Sequence, residues 1–299
     1  MSAVCKNMKD KAHEPTVSIN TRSHLVSGCD QKVTATNRRT PHRKMKLKSI
    51  SILSAIALSL SLNSCRKKED PVVPVVNPMG SVKLEFSNKV GIETLVLNDV
   101  WYTNQNGDSF TVSKFSYYIS NIKLNNADGG QFIEPESYHL LRHNEPGSLE
   151  FDIDDVPNGT YKSITFMIGV DSLRNVSGAQ TGALTPSDMF WEWSTGYIML
   201  KFEGNSPQST QSEGRVQLHM GGFSGANSVL RTITLPFPAD LVVNANEPHV
   251  HLSADVLELF KSPTVINFAT LSAVHMAGAN AKIIADNYVD MISVTLIGN

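Results

Sequence analysis

The chain has 299 residues, with 26 Lys and Arg, 28 Asp and Glu, nine His and three Cys, and a formal net charge of -2. The charge is split: residues 1–64 hold 11 basic and 3 acidic side chains, and residues 65–299 hold 15 basic and 25 acidic. An acidic globular part argues against a nucleic-acid partner, whose phosphates need a basic face. Cys5, Cys29 and Cys65 all precede the region that reads as folded, so neither a disulfide framework nor a thiolate metal site is available within it.

Residues 1–44 are polar, basic and without periodicity, and read as an upstream segment preceding the true translation start at Met45. Residues 45–64 have the form of a secretory signal: Lys46 and Lys48 make a positive end, and Ile50 to Leu62 make an apolar core too short to span a bilayer. The segment Leu62-Asn-Ser-Cys65 has the form of a bacterial lipobox, which makes Cys65 the lipidated residue of an outer-membrane lipoprotein. Residues 65–80 form a tether, with Pro71, Pro74 and Pro78 holding it extended. Lys68-Glu69-Asp70 resembles the short charged signal that sends some lipoproteins to the outer surface.

From residue 81 to the end the pattern is one of short strands. Val82 to Phe86 alternates, Leu95 to Leu97 follows, and Phe115 to Leu124 is a long strand-like run that ends in the hairpin signal Asn125-Asn-Ala-Asp-Gly-Gly130. Ser137 to Leu141, Leu149 to Ile153 and Tyr161 to Val170 come next, the last pair joined by the turn Pro157-Asn-Gly159. Residues 171–188 read as a long polar loop, ordered by pairing of Asp171 with Arg174. In Gly196 to Gly204, Tyr197, Met199 and Lys201 are expected on one face and Ile198, Leu200 and Phe202 on the other. Later strands are expected at 215–220, 229–235, 250–254 and 292–297, a short helix at 280–291, and turns at the Gly pairs 129–130 and 221–222. About a dozen strands with so little helix predict an all-β fold, an antiparallel Greek-key β-sandwich with one short helix near the C-terminus.

Two sets of residues carry chemistry. Trp191 and Trp193 stand two apart ahead of a core strand, as packing anchors or as indoles put to use. The second set is histidine. His249 and His251 are two apart on a strand, which puts both imidazoles on one face about 7 Å apart. His219 ends a strand and His139 lies within one, and imidazole suits copper, zinc, iron and nickel. Met189, Met199 and Met220 lie near these elements and offer thioethers, which suit Cu(I). No nucleophile elbow or acid–base pair is present, so no enzyme is expected.

Many short motifs then occur in a familiar order. Ser116-Tyr-Tyr-Ile-Ser-Asn-Ile-Lys-Leu124, Tyr138-His-Leu140, Gly169-Val-Asp171, Asn175, Gly178 and Gly182-Ala-Leu184 come first. Met189-Phe-Trp-Glu-Trp-Ser-Thr-Gly-Tyr197, Leu200-Lys-Phe-Glu-Gly204 and His219-Met-Gly-Gly222 follow. Over roughly residues 81–260 the chain resembles the MbnP-like proteins, which are copper-binding and either secreted or lipid-anchored. The resemblance implies copper bound for acquisition, storage or handling. It also implies a partner di-haem enzyme of the cytochrome c peroxidase type that oxidises a tryptophan, here Trp191 or Trp193, to kynurenine. His139 and His219 are then the first ligand candidates, with His249 and His251 next. Many members carry four cysteines, and the expected mature chain has only Cys65. The rival expectations are a surface module that stacks a glycan on the two indoles or binds a peptide, and a structural envelope protein with the indoles in its core.

Overall fold

The computed structural model describes residues 78–192 and 194–299. The upstream segment, the signal, Cys65, most of the tether and Trp193 lie outside the described residues.

The elements run in the order β1 (Met79–Val90), β2 (Glu93–Thr94), β3 (Tyr102–Thr103), β4 (Ser109–Asn126), β5 (Gln131–Ile133), β6 (Tyr138–Arg142), β7 (Glu150–Pro157) and β8 (Gly159–Ile168). Then come α1 (Ser172–Val176), β9 (Phe190–Glu192), β10 (Gly196–Asn205), β11 (Arg215–Gly221), β12 (Arg231–Val243) and β13 (His249–Asp255). The last are β14 (Ala273–Val274), α2 (Ala279–Asn287) and β15 (Ile292–Gly298). They form two sheets. One has the order β15-β13-β1-β2, with β7 also on β1. The other has the order β12-β8-β4-β10-β11-β14, with β3, β5 and β6 on β4 and β9 on β10. Most pairs are antiparallel, and β1 with β13 and β11 with β14 are parallel.

The expected all-β sandwich is the observed one, and the period-two pattern is its cause. In β1, Val82, Leu84 and Phe86 are buried while Lys83 and Glu85 lie on the other face. In β8, Tyr161, Ile164, Phe166 and Ile168 point inward. Both sheets contribute to one apolar cluster. Within it Phe110, Phe202, Phe260 and Phe268 meet edge to face with centroids 5.1–6.0 Å apart, an arrangement that suits the ring quadrupole. Pro236 and Pro238 are tolerated in β12 because it ends the larger sheet, where missing N–H donors leave no ladder bond unmade. The helix expected at 280–291 is α2 followed by a tight turn at Tyr288–Asp290. Fully buried Asn287 fastens its end, donating to the carbonyls of Leu259 (2.9 Å) and Thr264 (2.7 Å).

Several local expectations are corrected. Leu95 to Leu97 is not a strand; only Glu93–Thr94 pairs with β1. A register shift between Ile198 and Leu200 interrupts the alternation of β10, and Tyr197 through Phe202 are all buried because both faces of this central strand are covered. Gly221 is the last residue of β11, paired with Ile198, and does not open a turn. The 171–188 segment contains α1, and Asp171 caps it by accepting from the backbone N–H of Arg174 (3.2 Å). The Arg174 guanidinium turns to Glu136 and Gln180 instead. Met189, Met199 and Met220 are fully buried core residues.

Candidate metal centre

The Trp191 end of the larger sheet is assembled from three directions. Asp188, just before β9, sits among Arg142 (2.8 Å), Lys114 (3.1 Å) and Lys201 (3.2 Å). Burial works against its charge, but hydrogen bonds from Arg142 and Lys114 and the Lys201 charge outweigh it, holding the carboxyl far below the usual range. Lys201 is itself buried and also donates to the Asp188 carbonyl. From the other side, buried Asn175 on α1 donates to the carbonyls of Val170 (2.6 Å) and Asp171 (2.9 Å) and accepts from Tyr197 N–H (3.0 Å). Gly196 has φ +75°, and a side chain there would strike Asn175. The segment after β8 is thereby bolted to the start of β10.

Between these anchors, β9 lays the six-membered ring of Trp191 over Gly221. The approach leaves no space for a Cβ at that position. Gly221 and His219 are two apart on β11, so Trp191 covers the strand face that His219 occupies. Val216, Leu218 and Met220 take the opposite, core face. His219 Nε2 lies 2.7 Å from Glu203 Oε1 on β10, and its side chain is 13% exposed. Burial, with help from the nearby Lys201 charge, lowers the imidazole pKa against the opposing pull of Glu203, so His219 is neutral at pH 7. The parallel register Leu218↔Val274 brings His275 alongside, its ring edge-on to His219 with centroids 5.2 Å apart. Met276 follows, largely exposed, in a groove of about 410 Å³ that also includes Asn280. Sequence reasoning missed Glu203, His275 and Met276. Glu203 stands in the motif Leu-Lys-Phe-Glu-Gly, but no local spacing relates it to His219.

The other histidines go elsewhere. His139 stacks on Phe151, with centroids 3.6 Å apart and planes 9° off parallel, and its Nε2 contacts both Glu134 carboxylate oxygens at 3.0 and 3.1 Å. It stands apart from the His219 face as a packed, satisfied side chain. His143 Nδ1 meets Asn88 Nδ2 at 3.2 Å, and burial lowers its pKa. His249 and His251 do share a face, as expected, on the smaller sheet, with ring centroids 6.2 Å apart. Glu85 of β1 reaches between them: Oε1 is 3.3 Å from His249 Nδ1 and Oε2 is 2.7 Å from His251 Nδ1. Among the described residues, this is the group of three ligand side chains whose donor atoms all lie within 4.8 Å of one another. Two histidine clusters therefore exist, one on each sheet, and the one on the larger sheet lies on the strand face that Trp191 partly covers.

No curated protein matches the chain. A solved structure, MbnP from Methylosinus trichosporium, aligns at 12% identity over 68% of this chain and 83% of that one, with a TM-score of 0.46. The sequence model of the MbnP family matches residues 79–277, β1 through the segment carrying His275. The chain belongs to the MbnP family.

Proposed function

We propose that the protein is a cell-envelope lipoprotein, anchored in the outer membrane through Cys65, that binds copper for acquisition, storage or handling and has no catalysis of its own. Copper is its cargo. The carrying observation is the β9–β11 face: Trp191 over Gly221, with His219 next on the same strand face and His275 against His219. The donor chemistry suits copper. His219 is neutral, a second imidazole lies beside it, and Glu203 supplies a carboxylate. Met276 adds an exposed thioether in the adjoining groove.

Trp191 is half-buried, anchored on one side and open on the other. Its oxidation to kynurenine by a partner di-haem peroxidase, with two equivalents of peroxide opening the pyrrole ring and hydrolysis releasing the lost carbon as formate, would replace an indole N–H with an aniline nitrogen and a ketone, adding ligand atoms on the His219 face. Trp193 is the other candidate for that change. The glycan reading, in which the two indoles form an open platform, is less well supported, because Trp191 is pressed against the sheet rather than displayed.

The test is copper content and peptide mass of the mature protein from its native host. Trypsin releases residues 175–201 as one peptide holding both Trp191 and Trp193. Conversion adds about 4 Da, one oxygen gained and one carbon lost. Fragment ions split at Glu192 assign the change. Bound copper that falls in His219→Gln supports the reading, with or without the mass shift. Copper-free protein that stays so when loaded with copper in the presence of the peroxidase partner overturns it.

A further inference from the structure

We infer that the protein carries a second, independent metal site on the smaller sheet. There Glu85, His249 and His251 form an open site for a divalent transition ion of the zinc class. The site uses no tryptophan and lies on a different sheet from the Trp191 face.

The backbone presets it. β13 is paired on both sides, parallel to β1 in unbroken register from His249 to Asp255 and antiparallel to β15 with a register shift just past His251, so β1 fixes the two histidines against Glu85. The β1 register sets Glu85 opposite His251 and Lys83 opposite His249. Val250 and Leu252 are buried in the core, which forces the two imidazoles outward together. Thr295 Oγ1 donates to the His251 carbonyl at 3.1 Å, pinning β15 beside the site. Opposite His249 stands Gly298, which leaves that imidazole uncrowded.

The donor set fits. Two imidazole nitrogens and one carboxylate are the three protein ligands of many open zinc sites, and imidazole also accepts Cu(II). Bonds of about 2.0–2.2 Å in tetrahedral geometry place donor atoms about 3.3–3.5 Å apart. The Nδ1–carboxylate distance of 3.3 Å at His249 matches that span, the 2.7 Å at His251 is a hydrogen-bond distance that an ion would lengthen, and all three donors lie within 4.8 Å of one another. Both Nδ1 atoms face the carboxylate, so the ligating tautomer carries its proton on Nε2. The His249 and His251 side chains are 38% and 35% exposed, and a groove of about 320 Å³ runs past Glu85, Ser87 and His251 to Leu296. An ion and its remaining water ligand therefore have an entry path.

The surroundings are acidic. Glu150 pairs opposite Glu85, and Asp152 opposite Lys83, on β7. The Lys83 ammonium is engaged by Asp152 at 2.7 Å. A surface of this sign concentrates cations.

The experiment is a titration of the full chain, freed of metal, with Zn²⁺ against a chromogenic chelator. Co²⁺ is added separately to read coordination from its visible spectrum. Wild type is expected to take up zinc and to show the absorption of four-coordinate cobalt. His251→Gln and Glu85→Gln are expected to weaken that uptake by about 10–100-fold and to abolish the cobalt bands, with circular dichroism unchanged. Glu85→Gln guards against misfolding, since it keeps the side-chain shape. His219→Gln is expected to leave this uptake intact while lowering copper loading. Zinc uptake and cobalt spectra equal in wild type, His251→Gln and Glu85→Gln overturn the site, as does a wild type that binds neither ion. Either result leaves the copper reading of the Trp191 face untouched, because that reading is judged by copper loading of the wild type and by its fall in His219→Gln.

Discussion

The two histidine clusters differ in cover. On the larger sheet, His219 is 13% exposed, opposite buried Lys201 and on the strand face where Trp191 rests on Gly221. On the smaller sheet, His249 and His251 stand on an outer strand face with only Glu85 between them. Each cluster joins imidazole to carboxylate, yet burial shifts the first toward the neutral form and leaves the second open to exchange with solvent. The same side chains can thus make a retained site and an exchangeable one, according to what lies over them.

Gly221→Val should break the covered face with the largest effect. A branched side chain has no room beneath the Trp191 ring, so the indole must lift or β11 must shift. Overpacking of this kind costs about 1–3 kcal/mol, and the upper end is expected here. Urea unfolding and tryptophan fluorescence measure it, with copper loading falling in parallel. Unchanged stability and fluorescence would mean that the indole does not rest on this glycine.

The next test uses pH. The His219 pKa is lowered from its ordinary 6.5, so between the two values the unfolded chain binds more protons than the folded one. Stability is therefore unaffected by His219 well above pH 6.5. It falls as pH drops below 6.5 and levels off once pH is below the folded value. His219→Gln should flatten that fall, seen in urea midpoints taken from pH 8 to pH 5. Some slope remains, because His143 is shifted in the same direction. Glu203, Lys201 and His275 surround the ring, and the lowered Asp188 carboxyl contributes only in the more acidic range below about 3.8. A variant with the wild-type slope would remove His219 as the cause.

The smallest effect belongs to the open face. Glu85→Gln removes a partly exposed carboxylate–imidazole contact on a strand paired on both sides, and stability should change by about 0–1 kcal/mol in the absence of metal. Thermal melts check this. A large loss would show that Glu85 serves the fold and not an ion.

Much of this was legible along the chain. The alternation of Val82 to Phe86, the Asn-rich hairpin at 125–130 and the Pro157-Asn-Gly159 turn marked strands and their joins, since side-chain direction and turn conformation are set over a few residues. The His249 and His251 pair was legible for the same reason. What failed was irregular or long-range. The register shift in β10 is imposed by its neighbours, and β9 and β14 are too short to carry a pattern. Met189, Met199 and Met220 looked like ligands by proximity in sequence, but their strand faces turn them into the core.

By itself, then, the sequence determined the strand class, the apolar faces, the family motifs and the shared face of His249 and His251. Tertiary structure alone decided that Glu85 reaches that pair, that His275 stands beside His219, and that Trp191 rests on Gly221. The reason is register. Which residues of two distant strands face each other depends on packing summed over the whole sandwich, and no local stretch of chain carries that sum.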